Sequence, residues 1–156
     1  LPILVKKETI YAPLKGEVRP LTQCRDDAFA QGVLGRRILL IPEEGKVYAP
    51  FDGTLTTLFP TKHALGLISD SGCEVLIHIG MDTVQLDGRY FEAYVVQGAQ
   101  VKKGELLVSF DMDAIKEAGY SLETPVLVTN SGDYVDFIET RNKKVNRQDE
   151  LLTVII

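Results

Sequence analysis

The chain has 156 residues, 45% hydrophobic and 25% charged, with 17 basic and 22 acidic side chains and a formal net charge of −5. That length suits one domain with its own core, and the acidic balance argues against a nucleic-acid partner while mildly favouring a basic protein. Apolar runs fall short of the roughly 18 residues a membrane span needs, and the leading LPILV is followed at once by KKE, too short for a signal-peptide core. The chain therefore reads as cytoplasmic, with no nucleic-acid partner and no direct membrane insertion. Residues 1–156 read as a single domain and residues 1–8 as a linker remnant, the mark of a domain cut from a larger permease tethered to the cytoplasmic face of the membrane. Cys24 and Cys73 are too far apart for a zinc knuckle or disulfide framework and read as reduced, structural thiols.

In chain order, YAPLKGEV at 11–18 reads as a turn leading into a strand, and DDAFAQ as one helical turn. RRILLIP, GKVYAP, GTLTTLF, HALGLI and CEVLIHI follow as short strands, each bounded by Gly, Pro or Asp. GRYFEAY reads as a second helical turn, and GELLVSF as another strand. DMDAIKEAG has an Asp placed to cap a helix and closes on Gly119. TPVLVTN, YVDFIE and LLTVII complete the strands. So many short strands joined by tight turns predict an all-β fold, an antiparallel sandwich or barrel with a few helical turns. YAPLKGEV and YAPFDGTL, 37 residues apart, share the pattern YAPxxGxx and suggest two equivalent turn-to-strand units.

The two histidines carry the chemistry. Alternation through EVLIHI puts His78 on the face of Glu74 and Leu76, opposite Val75, Ile77 and Ile79. Gly80 then ends the strand, and its carbonyl is placed to hold the ring Nδ1–H and leave Nε2 free. A hairpin closed by DSG, with pairings 63/79, 65/77 and 67/75, brings His63 to the same end, with the Thr61 hydroxyl beside it. Catalytic zinc wants three protein ligands, and no HxH, HxxxD or HExxH spacing supplies the third. GxSxG and Walker motifs are missing as well, and the lysines of VKKG sit in a turn that does not suit a biotin or lipoyl carrier. Phosphohistidine chemistry needs only two rings, one to accept the phosphoryl group and one to donate a hydrogen bond to it. Two readings stay open beside it: a zinc-dependent peptidoglycan peptidase built on a related hybrid-motif fold, and a regulatory binding module without turnover.

The stretch EVLIHIGMDTVQL, with FPTKHALGL before it and IYAPLKGEV and GKVYAPFDGT upstream, resembles the glucose-type enzyme IIA domains of the bacterial sugar phosphotransferase system. GKVYAPFDGT, FPTKHA and GYSLETPVLVTNSGDY are most similar to the IIA domains fused to β-glucoside, sucrose or trehalose permeases. The resemblance covers essentially the whole chain, and HxGxDTVxL with TxH upstream is specific. It implies a fold of the duplicated hybrid-motif type and a phosphoryl carrier that takes phosphate from the histidine phosphocarrier protein and passes it to a cysteine of an enzyme IIB domain. His78 then matches the phosphoryl acceptor, His63 the ring that supports the phosphate, Thr61 the hydroxyl orienting His63, and Gly80 the carbonyl fixing the His78 tautomer. Asp26 and Asp82 match carboxylates that meet the basic partner, and Phe29, Val33, Phe59 and Val84 an apolar docking patch. A turn-capping role for Asp82 and a core role for Phe29 are the plain structural readings of those residues. No cofactor or metal is implied, although the two histidines could bind zinc adventitiously. Ile79 and Leu65 stand where the family often has Phe.

Overall fold

The computed structural model describes residues 6–32 and 36–156. Val33, one of the expected docking residues, lies outside them. The described residues form fourteen strands and two short helices. In order these are β1 (Lys7–Tyr11), β2 (Gly16–Pro20), α1 (Asp27–Ala30), β3 (Arg36–Pro42), β4 (Lys46–Tyr48), β5 (Gly53–Leu58), β6 (Ala64–Ser69) and β7 (Glu74–His78). There follow β8 (Phe91–Ala93), β9 (Gln100–Val101), β10 (Leu106–Phe110), α2 (Met112–Glu117), β11 (Thr124–Val128), β12 (Asp136–Glu139), β13 (Lys144–Val145) and β14 (Glu150–Ile155).

Three antiparallel sheets result: eight strands in the order β13-β2-β3-β11-β7-β6-β5-β9, and two of three strands, β1-β14-β12 and β4-β10-β8. Their inner faces meet in one continuous core. Ile10 and Leu152 enter it from one small sheet, Phe91 and Val108 from the other, and Leu40, Leu55, Leu67, Ile77 and Val126 from the large one. Each fully buried Leu or Ile contributes about 1.5–3 kcal/mol relative to exposure, which outweighs the weak intrinsic preference of such short strands. This is the all-β antiparallel architecture expected from the strand runs.

The two YAP units are equivalent in space as well as in sequence. The Tyr11 amide donates to the Pro50 carbonyl (3.0 Å), and the Tyr48 amide returns the bond to Pro13 (2.7 Å). Each unit then clasps a turn further along the chain. Ala12 exchanges backbone bonds with Gln148 and Asp149, and Ala49 does so with Gly104 and Glu105. VKKGELL and VNRQDELL are therefore structural counterparts, with Gly104 (φ +87°) and Gln148 (φ +69°) both left-handed. Cations cover both tyrosines: Lys103 over Tyr11 at 3.4 Å and Arg147 over Tyr48 at 4.4 Å.

Two local expectations need correction. GRYFEAY is not helical: Gly88 (φ +87°) and Tyr90 (φ +75°) are left-handed, which no right-handed helix accommodates, and Phe91–Ala93 pairs with β10, Phe91 opposite Phe110. Lys7 and Glu8, read as part of a linker, pair in β1 with Ile155 and Val154. The other two helical expectations hold. α1 and α2 are capped by the Asp26 and Asp111 side chains, accepting from the Ala28 and Ala114 amides, and Gly119 follows α2 at φ +94°.

Candidate functional site

The site sits at one end of the β6–β7 hairpin, which turns through Gly72 at φ +98°. Its register is as expected, with Leu65 opposite Ile77 and Leu67 opposite Val75, and the Ile79 amide bonds the His63 carbonyl at 2.7 Å. Leu65, Leu67, Val75, Ile77 and Ile79 face the core, leaving His78 half-buried on the outer face. Strict alternation would have carried His63 to the Ile79 side. Instead residues 59–63 form a tight turn, with Lys62 left-handed (φ 62°) and its amide bonded to the Phe59 carbonyl at 2.7 Å. That turn brings the His63 ring to the outer face, 4.9 Å from the His78 ring centroid and nearly perpendicular to it at 85°.

Each ring is held through Nδ1. The Gly80 carbonyl lies 2.8 Å from His78 Nδ1, and the Thr61 hydroxyl lies 2.6 Å from His63 Nδ1. A carbonyl can only accept, so His78 Nδ1 carries the hydrogen and Nε2 keeps its lone pair when the ring is neutral. Gly80 is obligatory for this geometry. Its φ is +78°, and a Cβ there would lie 2.6 Å from Thr83 Cγ2 and 2.7 Å from the Ser121 carbonyl oxygen. Thr83, fully buried, fastens the same loop by donating its hydroxyl to the Ile79 carbonyl. It was not singled out from the sequence, although it is the Thr of the DTV triplet.

Burial disfavours charge on both rings. It lowers His78 below its ordinary value, an effect partly opposed by the Gly80 bond and then by Asp26 and Asp82. His63, only 2% exposed, is pushed down to about 4, first by desolvation and then by the His78 ring beside it. Both are neutral at pH 7. The unfolded chain binds a proton at His63 near pH 6.5, whereas the folded protein resists it until about 4. Stability should therefore be unaffected by this group above pH 6.5 and fall as the pH drops through that window, losing on the order of 3 kcal/mol. His63→Gln should flatten this dependence in thermal unfolding measured from pH 7 to 4, and a variant slope equal to the parent's would contradict the assignment.

The expected docking residues divide into two kinds. Phe59 and Val84 are exposed, at 40% and 51%, and the Phe59 ring also packs edge-on against His63 at 5.4 Å. Phe29 is not a surface residue: it is 5% exposed and packs against the His78 ring at 4.9 Å. Asp26 caps α1 through a 2.9 Å bond to the Ala28 amide. Asp82 is exposed and left-handed (φ 59°), and its side chain makes no cap bond to the helical turn that follows. The capping role is thus taken by Asp26 and left unfilled by Asp82. Among the described residues no group of three or more His, Cys, Asp or Glu is placed to hold a metal ion, and no helix is long and apolar enough to cross a membrane. Cys24 and Cys73 are buried free thiols.

Residues 8–134 match the model of a family described as phosphoenolpyruvate-dependent sugar phosphotransferase system, EIIA 1. Among curated proteins, the chain is 50% identical over 147 residues to the phosphotransferase system β-glucoside-specific EIIBCA component of Halalkalibacterium halodurans, covering 94% of this chain and 23% of that protein. It is 48% identical over 151 residues to the component of the same description from Dickeya chrysanthemi, covering 97% and 24%. The chain thus spans about a quarter of the length of these relatives. Among solved structures, glucose permease IIA from Mycoplasma capricolum superposes with a TM-score of 0.90 at 33% identity, covering 98% of this chain and 99% of that one.

Proposed function

Because the chain belongs to the EIIA 1 family of the phosphoenolpyruvate-dependent sugar phosphotransferase system, we propose that His78 is the atom-level carrier of its phosphoryl group. The observation that carries this reading is the bond between His78 Nδ1 and the Gly80 carbonyl, which leaves Nε2 of a neutral, oriented ring free, with the His63 ring 4.9 Å away centroid to centroid. In the proposed transfer, the P–N bond to the histidine of a phosphocarrier protein breaks as a P–N bond to His78 Nε2 forms. The proton stays on His78 Nδ1, hydrogen-bonded to the Gly80 carbonyl, and the donor imidazole leaves with its lone pair. In the onward step a cysteine thiolate of an enzyme IIB domain takes the phosphoryl group from Nε2. Positioning and charge stabilisation supply the catalysis, without ATP or metal. Thr61 donates to His63 Nδ1, so that His63 Nε2–H points at a phosphoryl oxygen. The description of the relatives as β-glucoside-specific EIIBCA components supports work within a β-glucoside system that also holds a IIB domain.

Incubation with labelled phosphoenolpyruvate, enzyme I and the phosphocarrier tests the reading. Label should enter this chain and move on when a IIB domain is added. Absence of label in the presence of a labelled phosphocarrier would count against it.

The acidic rim should act on arrival. Asp82, exposed and unused as a cap, cannot aid a phosphate dianion directly, so its benefit comes from an arginine on the partner. Asp82→Asn is expected to slow phosphorylation about fivefold at low ionic strength, with the deficit fading as salt screens the pair. Stopped-flow transfer rates across a salt series check this, and a deficit that persists at high salt would contradict it.

A further inference from the structure

A buried carboxylate that the phosphoryl chemistry does not use lies one residue before β11. Glu123 is 8% exposed and touches neither histidine ring. Its Oε2 accepts the Arg25 amide at 3.0 Å, and its Oε1 accepts Arg25 Nε at 3.0 Å and the Ser121 hydroxyl at 3.3 Å. The Ser121 carbonyl in turn accepts the Met81 amide at 3.0 Å, inside the loop that begins at Gly80. The Cys24 thiol, next to Arg25, lies 3.5 Å from the Met81 sulfur. Glu123 thus joins the segment carrying Asp26 and Phe29 to the loop carrying Gly80 and Asp82.

Residues 25–29 have little else to hold them. Among the described residues, and apart from the bonds to Glu123, their hydrogen bonds are local to residues 24–32: the Asp26 cap, the short α1 ladder and the Asp26 backbone beside the Cys24 thiol. A four-residue helix has no stability of its own. Among the described residues it is anchored further by the packing of Phe29 among Leu21, Cys24, Leu39, Met81 and Leu127 and against the His78 ring. An ion pair would be worth little here if both partners were exposed, as the Arg25 side chain is. The buried partner and the added backbone bond change that, because a desolvated carboxylate needs these donors and accepts them in one arrangement.

We infer that Glu123 is a positioning residue for phosphoryl transfer: through Arg25 it hangs the 25–29 segment so that Phe29 lies on the His78 ring and Asp26 stands at the docking rim. It acts through Phe29 and not on the phosphate. The transfer part of this inference rests on His78 being the phosphoryl carrier, but the contact between the rings does not.

The test begins with the unphosphorylated protein. The Phe29 ring current should displace the His78 ring-proton resonances, and Glu123→Leu should move them toward their positions in Phe29→Ala. Glu123→Gln keeps a carbonyl for the Arg25 amide and should restore most of the shift. In transfer from the phosphocarrier, Glu123→Leu should lose on the order of 10-fold, the low end of what one charge-assisted bond is worth. Added to Phe29→Ala it should cost little more, since both act through one contact. If Glu123→Leu does not fold, Arg25→Ala, which alters an exposed side chain, should give a smaller shift in the same direction. His78 resonances unchanged in the folded variants, or transfer losses that multiply with Phe29→Ala, would overturn the inference. A parent protein that takes no phosphate on His78 would overturn the proposed function while leaving the resonance test standing.

Discussion

His78→Gln is expected to take up no phosphate, with no label moving to His63 in its place. The side chain sits half-buried at the end of β7 and points away from the core, so Gln should be accommodated with a change in stability within about 1 kcal/mol. What the substitution removes is the nitrogen proposed as the nucleophile. His63 is 2% exposed, and its ring meets His78 edge-on. Removing the nucleophile of an enzyme elsewhere costs on the order of 10⁶-fold in kcat, and a loss of that order would leave only background labelling here. The same measurement on the parent locates the atom: proton-coupled phosphorus NMR should show phosphate on Nε2, because Nδ1 is engaged with the Gly80 carbonyl at 2.8 Å. Phosphate on Nδ1, or a labelled His78→Gln variant, would refute the assignment.

His63→Gln separates acceptance from delivery. The Gln side chain has a donor of similar reach but no second ring nitrogen, so the Thr61 hydroxyl at 2.6 Å can no longer set its direction. Phospho-His78 should still form. Onward transfer should slow by roughly 10- to 150-fold, which corresponds to one charge-assisted hydrogen bond of about 1.5–3 kcal/mol that is optimal only as the phosphoryl group leaves. Thr61→Val should reproduce part of this loss with both rings intact. Rapid-quench measurement of the two half-reactions decides the matter, and equal slowing of both would assign His63 a role in acceptance too.

Much of this site is legible in a single chain because it depends on short-range rules. Period-two alternation around Leu76 and Ile77, with a turn at DSG, defines a hairpin register and therefore which face His78 occupies. A glycine two residues beyond the ring signals a conformation that only glycine reaches freely, and Gly80 at φ +78° has it. GRYFEAY misleads for a related reason. Its composition suits a helical turn as well as a strand, and the left-handed Tyr90 that excludes the helix has no signature of its own. Gln148 hides the second half of the duplication in the same way, holding the left-handed place that Gly104 marks openly in the first.

The rest depends on residues far apart in the chain. Arg25 and Glu123 meet only because β11 packs beside β3 and β7 in the large sheet. Phe29 could belong to a docking surface or to the core until Met81 and Leu127 close over it. His63 faces His78 because the turn at 59–63 breaks the alternation that would have sent it inward. Local periodicity and turn chemistry are properties of a few adjacent residues and survive in any context. Burial, ring-to-ring contact and the satisfaction of a buried carboxylate arise only when distant segments exclude water together.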